Sequence, residues 1–567
     1  MRSMVDYDVT RRDFRLEVPD RFNYTIDVVD RWARDEPDKL ALVAIHPDGR
    51  TTTRHTYGEI SRDANRAANY LKGLGVGKGD RVFVQLPRIP EWYFTVLGCL
   101  KLGAVPMPGT SLLMPRDIEY RVNAAEACLI VTDSVGAARA DEVVDSCPSL
   151  RAKVLVGEDH VGEDHVGEGQ VKGELEGGGR VGWESLESGM ASASDESAAV
   201  DPTASDDPLL IYFTSGTTGH AKMVLHTHAS YGIGHEITAR FWHDLGPDDV
   251  HWTVSDMGWA KAAWGKLFGQ WRLGAAVVMW NVVGKPDVDR MLRIIAEQRI
   301  TSFCAPPTLY RAFVQLDLEQ YDWSGLRHCT SAGEPLNPEV IGTWKRATGL
   351  DIYDGYGQTE TVNLVANYPC LPVKPGSMGK PAPGFDVQIV DEEGTVQPVG
   401  VEGHLAVRTE PRPVGLFQEY WRDPDRNAES FHHGWYFTGD RAYQDQDGYI
   451  WFVGRADDVI ISSAYRIGPF EVESALLEHP AVAEAAVVGK PDPARGQIVK
   501  AFIILAGDHE ASDELAAEIQ EHVKRVTAPY KYPREIDFVL ELPKTISGKI
   551  RRVELRESET EGQTPPR

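Results

Sequence analysis

The chain has 567 residues, of which 42% are hydrophobic, so it can form about three to five domains of roughly 100–200 residues and fill their cores. Its formal net charge of −26 opposes binding to nucleic acid, which is itself a polyanion. No apolar run approaches the ~20 residues of a membrane-spanning helix, so we expect no integral membrane association. The cysteines lie far apart without a CxxC pair, and residues 1–18 mix acids with arginines; both features favour the cytoplasm.

Along the first 300 residues, strand-like and helix-like segments alternate. Glu59–Leu74 carries apolar residues at helical spacing. Short apolar runs at Arg81–Leu86, Leu209–Phe213 and Ala275–Met279 are typical of buried strands. This alternation predicts an α/β fold of layered helices and mostly parallel sheets.

Residues 156–207 interrupt the pattern. They repeat the string VGEDH and then run through Gly, Glu, Ser and Ala with few large apolar groups. Such a composition buries too little surface to offset the entropy lost on ordering. We therefore expect a flexible surface excursion here.

The C-terminal part has a different character. Ser512–Val526 predicts an amphipathic helix, and strand-like runs surround it at Ala485–Val488, Val499–Leu505 and Ile536–Leu540. These elements predict a small α+β unit. The chain is thus expected to divide into a large N-terminal domain, 1–455, and a small C-terminal domain, 456–567.

The most informative loop directly follows the strand LLIYF. It reads Thr214-Ser-Gly-Thr-Thr-Gly-His-Ala-Lys222. Glycines let backbone N–H groups approach a phosphate, hydroxyls add donors and the lysine adds charge. The string is not a Walker A loop, which needs GxxxxGK[ST], and an ordinary polar turn is the alternative interpretation.

This loop closely resembles the phosphate loop of the adenylate-forming superfamily, which includes acyl-CoA synthetases, luciferases and adenylation domains. Five further segments resemble the family's motifs in its order: AGEP (332–335), DGYGQTE (354–360), YFTGD (436–440), GRADDVI (454–460) and PKTISGK (543–549). The resemblance covers nearly the whole chain. It implies a large N-terminal adenylate-forming domain and a small, mobile C-terminal domain.

The resemblance also implies roles for individual residues. Lys549 would be the catalytic lysine, Thr359 would contact the α-phosphate, and Glu360 would bind Mg²⁺. Asp440 and Arg455 would bind the ribose. The full set implied for ATP is Thr214, Ser215, Gly216, Thr217, Thr218, Gly219, Lys222, Gly333, Glu334, Pro335, Asp354, Gly355, Tyr356, Gly357, Gln358, Asp440 and Arg455.

Coenzyme A would enter after the small domain rotates about a hinge at Asp457. The residues implied for coenzyme A are Ser463, Ala464, Tyr465, Arg466, Arg495, Lys524 and Arg534. The sequence departs from the family at Ala464, where glycine is usual, and at Ala221, where proline is usual. A methyl group at Ala464 would narrow the thiol tunnel.

Within the superfamily, the segments SDMGW, RIGPFEVES and VTAPYKYPREIDFVLELPKT most resemble medium-chain acyl-CoA synthetases. Acetate-specific relatives close the acyl pocket with a tryptophan where this chain has Gly357, so we expect room for a medium-chain, branched or aromatic acid. Trp259 is a candidate wall of that pocket; Trp264 fits the wall or core packing equally well.

The predicted activity is ATP- and Mg²⁺-dependent ligation of such an acid to coenzyme A through an acyl-adenylate. An enzyme that loads a carrier protein, a luciferase-like oxidation and a catalytically silent nucleotide or acyl-adenylate sensor are the alternatives. The glycine-rich segment 73–79 does not fit a Rossmann loop, because it precedes a strand and its spacing differs from GxGxxG. The partners are small molecules, and a homodimer is left open.

Overall fold

The structure is a computed structural model. It describes residues 3–157, 180–214, 221–284, 286–333, 336, 338–455, 458–462, 465–492, 495–507, 509–527, 530–544 and 550–561, with the backbone alone at 465–466 and 560–561. All bounds and contacts below concern these residues.

The helices and strands alternate through most of the chain. The helices are Tyr7–Asp13 (α1), Asp30–Asp35 (α2), Tyr57–Gly73 (α3), Pro90–Leu102 (α4), Pro115–Ala125 (α5), Ser134–Asp141 (α6), Leu186–Ser192 (α7), His235–Ile237 (α8), Ala260–Gly265 (α9), Phe268–Arg272 (α10), Val288–Glu297 (α11), Pro307–Phe313 (α12), Pro338–Thr348 (α13), Pro424–Ser430 (α14), Pro469–Leu477 (α15), Asp513–Val526 (α16) and Arg552–Glu561 (α17). The strands are Leu40–Ile45 (β1), Thr52–Thr56 (β2), Arg81–Gln85 (β3), Val105–Pro108 (β4), Leu129–Asp133 (β5), Ala152–Val156 (β6), Glu184–Ser185 (β7), Pro208–Thr214 (β8), Lys222–Thr227 (β9), Val250–Thr253 (β10), Ala276–Trp280 (β11), Ser302–Ala305 (β12), His328–Ser331 (β13), Ile352–Tyr356 (β14), Val365–Ala366 (β15), Lys380–Pro381 (β16), Val387–Val390 (β17), Gly403–Arg408 (β18), Glu419–Tyr420 (β19), Phe431–His432 (β20), Trp435–Gln444 (β21), Ile450–Arg455 (β22), Ile460–Ser462 (β23), Tyr465–Ile467 (β24), Val482–Asp492 (β25), Gly496–Leu505 (β26) and Glu535–Phe538 (β27).

Two sheets have parallel interiors, as predicted. The larger runs β16-β15-β14-β13-β12-β10-β11-β1-β2 and is parallel from β14 to β1. The smaller runs β4-β3-β5-β6-β7 and is parallel throughout. Since β13 and β14 are parallel neighbours, the segments that follow Ser331 and Tyr356 leave the sheet at the same edge.

The remaining sheets are mainly antiparallel, so the expectation of mostly parallel sheets is wrong for them. β8 and β9 form a hairpin that β19 extends. β17, β18, β21, β20 and β22 form a second antiparallel sheet. The hairpin connection explains the antiparallel pairing, because only a short loop joins Thr214 to Lys222.

The individual elements predicted in the N-terminal part are confirmed within one or two residues. α3 begins with a capping box, in which the Thr56 hydroxyl accepts from the backbone N–H of Glu59 at 3.3 Å. Its apolar face is fully buried against the cluster that also contains β3 and α4. The strands predicted around Val82, Ile211 and Val278 are β3, β8 and β11.

The C-terminal α+β unit also forms. β25 and β26 pair antiparallel, β27 joins β26 in parallel, and α16 packs Ile519 and Val523 into their core. Ser512 caps α16 by accepting from the N–H of Leu515 at 3.1 Å.

The prediction of a flexible excursion over 156–207 is wrong for residues 180–207; residues 158–179 lie outside the described residues. Trp183 and Leu186 are buried, and the Trp183 indole donates to Asp141 at 2.9 Å. Residues 194–199 then run along α3, where Asn69 donates to the carbonyl oxygens of Ser194 and Glu196, both at 2.8 Å. Composition missed this segment because its order comes from contacts with distant elements, β6, α6 and α3.

The core divides into several apolar clusters, of which the largest joins both parallel sheets to the helices around α3 and α4. A second cluster packs α11, α12 and α13 against one face of the larger sheet. Within the described residues, none of the helices is both long and apolar enough to cross a membrane.

Candidate functional site

The predicted phosphate loop joins the two strands of the β8–β9 hairpin. Thr214 and Lys222 are paired across its base, and residues 215–220 lie outside the described residues. The Lys222 Nζ lies 5.3 Å from the ring centroid of Tyr420, and burial lowers the pKa of this lysine. The hydroxyl of Tyr120 donates to the carbonyl oxygen of Ala221 at 2.9 Å. The loop base is therefore fixed, with a cation at its end.

Glu360 lies on a loop close to this lysine. Its side chain is buried, and Oε1 accepts a hydrogen bond from the Tyr420 hydroxyl at 2.8 Å. In the described part of the chain, no lysine, arginine or histidine comes within ion-pair distance of it. A buried carboxylate without a protein cation fits a hard divalent ion such as Mg²⁺, which prefers oxygen ligands.

The neighbouring Thr359 is held through its backbone. Its carbonyl oxygen accepts from Nε2 of His226 at 2.8 Å and from the hydroxyl of Tyr231 at 2.6 Å. The two rings stack with centroids 3.3 Å apart. Burial lowers the pKa of His226 to about 3, so the imidazole is neutral and carries its proton on Nε2. Sequence reasoning missed His226 and Tyr231, although both lie shortly after the phosphate loop, His226 in β9 itself.

The predicted ribose ligands meet at the pairing of β21 with β22, where Asp440 faces Arg455. The buried Asp440 carboxylate accepts from the hydroxyl of Tyr356 and, at 2.9 Å, from the side-chain amide of Gln358. Arg455 Nε lies 3.7 Å from the other Asp440 oxygen. Burial, and next the charge of Asp440, raise the pKa of Tyr356 well above its ordinary value, so its hydroxyl stays a donor.

Gln358 connects this cluster to the rest of the loop. Its amide nitrogen also donates to the carbonyl oxygen of Thr438 at 2.8 Å, and its amide oxygen accepts from the Tyr436 hydroxyl at 2.9 Å. The position of Asp440 is therefore fixed by four polar side chains, those of Tyr356, Gln358, Tyr436 and Arg455.

The residues predicted to frame the adenine lie at the carboxyl edge of β13 and β14. Gly333 has φ +115° with open space where a Cβ would stand, and Glu334 and Pro335 lie outside the described residues. Asp354 is buried, and a Cβ on Gly355 would lie 2.4 Å from the Trp242 ring. The backbone here is thus close-packed on one side and open beside Gly333.

Gly357 has a different environment from the one expected. A Cβ at this position would lie 2.3 Å from Cη2 of Trp264 and 2.8 Å from the carbonyl oxygen of Val362. The expectation of free space at Gly357 itself is therefore wrong, because the Trp264 ring fills it. The Trp264 indole donates to the carbonyl oxygen of Thr361 at 3.2 Å, which makes Trp264 both core and loop support. Trp259, at the start of α9, is half-buried.

The residues predicted for coenzyme A are only partly brought together. Lys524 and Arg534 both stack on Tyr532, at 4.3 and 5.1 Å from its ring centroid. Arg495 is exposed, and the described contacts do not join it to this pair. Tyr532 was missed by sequence reasoning, since a tyrosine between lysine and proline carries no signal of its own.

Several predicted residues lie outside the described residues, and their roles stay predictions. They are Ser215, Gly216, Thr217, Thr218, Gly219, Glu334, Pro335, Asp457, Ser463, Ala464 and Lys549. Of Tyr465 and Arg466 the structure describes only the backbone, in β24.

Comparison with known proteins gives matches over nearly the whole chain. The AMP-binding enzyme family matches residues 29–421, and the AMP-binding enzyme C-terminal domain matches residues 471–549. The chain is 46% identical to the acyl-coenzyme A synthetase ACSM3, mitochondrial, of Rattus norvegicus, over 98% of this chain and 93% of the relative. It is equally identical to ACSM4, mitochondrial, of Mus musculus, over 96% of this chain and 91% of the relative.

Solved structures also match over nearly the whole chain. The anthranilate CoA ligase AuaEII in complex with anthranoyl-AMP matches with a TM-score of 0.84 and 31% identity, covering 96% of this chain and 98% of that chain. An acyl-CoA synthetase of Brucella canis matches with a TM-score of 0.73 and 36% identity, covering 99% of this chain and 100% of that chain.

Proposed function

Because this chain belongs to the AMP-binding enzyme family, we propose that it activates a carboxylic acid with ATP and transfers the acyl group to coenzyme A. It is an AMP-forming acyl-CoA synthetase that uses ATP, Mg²⁺ and coenzyme A. The observation that carries the proposal is the loop 356–360, which places Gln358 on Asp440 and Glu360 beside Tyr420 and Lys222. One short segment thus joins the sugar side of a nucleotide site to its phosphate side.

In the first half-reaction, a carboxylate oxygen of the acid attacks the α-phosphorus of ATP. A bond forms between this carboxylate oxygen and the α-phosphorus. The bond from the α-phosphorus to the bridging oxygen of the β-phosphate breaks, and pyrophosphate leaves. Asp440 would accept from the ribose hydroxyls, and Lys222 would bind the terminal phosphates. Bound at Glu360, Mg²⁺ would neutralise charge that develops on the phosphate oxygens. Lys549 would add a second positive group.

In the second half-reaction, the thiol sulfur of coenzyme A attacks the acyl carbon of the adenylate. The thioester bond forms, AMP leaves with the bonding electrons, and the thiol proton passes to solvent. We propose that the domain 456–567 turns about Asp457 between the steps. Lys524 and Arg534 support this assignment, because both stack on Tyr532 and so place two basic side chains together, as binding of the phosphates of coenzyme A requires; Glu521, which pairs with Lys524, would have to yield to the phosphate.

We propose a medium-chain, branched or aromatic acid as the substrate. The Trp264 ring fills the space beside Gly357, so the support for this class of acid comes from the comparisons and not from free space at that position. The anthranilate CoA ligase among the structural neighbours supports an aromatic acid, and the relatives named acyl-coenzyme A synthetases support transfer of an acyl group to coenzyme A. The compartment and a homodimer stay predictions: the relatives are named mitochondrial, whereas residues 1–18 favour the cytoplasm.

The test is AMP formation from ATP and Mg²⁺ with acids from acetate through octanoate and with benzoate, each with and without coenzyme A. We expect continuous AMP release with coenzyme A and a C4–C8 or aromatic acid. Pyrophosphate release without thioester would point to a carrier protein as the acceptor, and no release with any acid would refute the proposed activity.

A further inference from the structure

Tyr420 occupies a position between the two charged residues of the phosphate side. It belongs to β19, where it pairs with Val224 of the strand that begins with Lys222. Asn427 binds its backbone at both ends: Tyr420 N donates to Asn427 Oδ1 at 2.8 Å, and Asn427 Nδ2 donates to the Tyr420 carbonyl oxygen at 2.9 Å. The ring is buried, so its direction is fixed by backbone pairing and packing together.

Two functional groups of this one side chain face two different residues. The hydroxyl donates to Oε1 of Glu360 at 2.8 Å, and the ring face lies under the Lys222 ammonium at 5.3 Å from its centroid. A tyrosine hydroxyl is protonated at neutral pH because its ordinary pKa is about 10. It therefore supplies one donor to the carboxylate and takes up only one of the two carboxylate oxygens.

The surrounding backbone makes this contact rigid. Phe417 N donates to the Glu360 carbonyl oxygen at 2.8 Å, and Trp421 N donates to the Met223 carbonyl oxygen at 2.8 Å. The segment 417–421 therefore connects the Glu360 loop to β9. Within it, Tyr420 reaches both chemical groups.

We propose that Tyr420 is a positioning residue for the first half-reaction. It holds Oε1 of Glu360 so that Oε2 is left for Mg²⁺, while its ring holds Lys222 beside the same phosphates. Mg²⁺ demands near-ideal octahedral geometry, so a ligand carboxylate that rotates freely binds it poorly. The inference rests on the proposed function, since it needs Glu360 to act on the ATP-bound cation.

The test is Tyr420→Phe, which keeps the ring under Lys222 and removes only the hydroxyl. Loss of a group that orients a metal ligand typically weakens metal binding about 10–100-fold. We expect a rise of this size in the Mg²⁺ concentration that half-saturates pyrophosphate release. ATP binding measured calorimetrically in EDTA should stay within about twofold of wild type, and binding with Mg²⁺ should weaken.

A matched control is Tyr57→Phe, which removes a buried hydroxyl that donates to Ala275 at 3.2 Å, far from the site in the core. It should leave the Mg²⁺ dependence unchanged. A second control supplies the preformed acyl-adenylate with coenzyme A, a step without phosphoryl transfer. Tyr420→Phe should carry out this step at the wild-type rate.

The outcomes separate the two proposals. Equal loss in both half-reactions, or an unchanged Mg²⁺ dependence, would overturn the positioning role of Tyr420. A wild-type protein that releases no pyrophosphate with any acid would refute the proposed function instead. In a Glu360→Ala background, the Tyr420→Phe effect on Mg²⁺ dependence should disappear; its persistence would show that Tyr420 does not act through Glu360.

Discussion

Replacing Gly357 by alanine adds one methyl group where the structure has no space for it. The new Cβ would lie 2.3 Å from Cη2 of Trp264, 2.7 Å from Cζ2 and 2.8 Å from a carbonyl oxygen. Carbon atoms in good contact are about 3.5–4.0 Å apart, so the ring or the loop must move by more than about 1 Å. Overpacking of this kind costs about 1–3 kcal/mol.

The effect of Gly357→Ala on activity depends on whether the Trp264 ring or the loop 357–361 moves. Trp264 donates to Thr361 and is buried among other aromatic side chains, so part of the displacement must pass to the loop 357–361. A misplacement of about 1 Å in a catalytic site can reduce a rate by about 100-fold. We expect Gly357→Ala to lower kcat/KM for adenylate formation by about 10–100-fold, together with a lower melting temperature.

The assay is pyrophosphate release with the preferred acid, alongside thermal unfolding. Gly77→Ala is the matched control, because a Cβ on Gly77 meets nothing within 4 Å; it should stay within about twofold of wild type. Adding Trp264→Phe to Gly357→Ala makes space and should recover part of the loss. If Gly357→Ala matches the Gly77→Ala control in rate and melting temperature, the packing argument is refuted.

Two further predictions concern buried charge. Burial lowers the pKa of Lys266 from 10.5 to about 7, so between these values the unfolded chain binds a proton that the folded chain lacks, and wild-type stability rises with pH. Lys266→Met should therefore be more stable than wild type by about 4 kcal/mol at pH 7 and by about a third of that at pH 9.5. Thermal unfolding of both proteins tests this, and a melting-temperature difference that is equal at the two pH values would contradict it. Asp440→Asn removes the charge that faces Arg455, so ATP binding measured by calorimetry should weaken about 10–100-fold, with unchanged binding as the contrary result.

The sequence predicted the fold class and most elements of the N-terminal part because local signals and tertiary packing agree there. The apolar run at β8 is buried on both faces, and α3 carries its own cap at Thr56. The antiparallel sheet of β17, β18, β20, β21 and β22 was not predicted. β17 and β20 have only 4 and 2 residues, and β21 alternates buried with half-buried residues over most of its length, so their apolar pattern is weak.

The sequence predicted those site residues that lie in the quoted motifs. Glu360, Gln358 and Asp440 lie together as the resemblance implied, and motif residues themselves hold Asp440, through Tyr356 and Gln358. The groups that hold Thr359 and Glu360, by contrast, belong to no motif quoted from the sequence. His226, Tyr231 and Tyr420 act through ring stacking and contacts to carbonyl or carboxylate oxygens between segments far apart in the chain. Such contacts depend on the tertiary fold and leave no periodic signal.

The packing of residues 194–199 on α3 determines which amino-acid substitutions this surface tolerates. Asn65, Asn69 and Lys72 all donate to backbone carbonyl oxygens of the segment, at 2.6–2.9 Å. Every residue type supplies the same carbonyl group, so the side chains of the segment are largely free to be replaced while its path is kept. A substitution at Asn69 on α3, by contrast, would remove two of these four hydrogen bonds whatever the sequence of the segment.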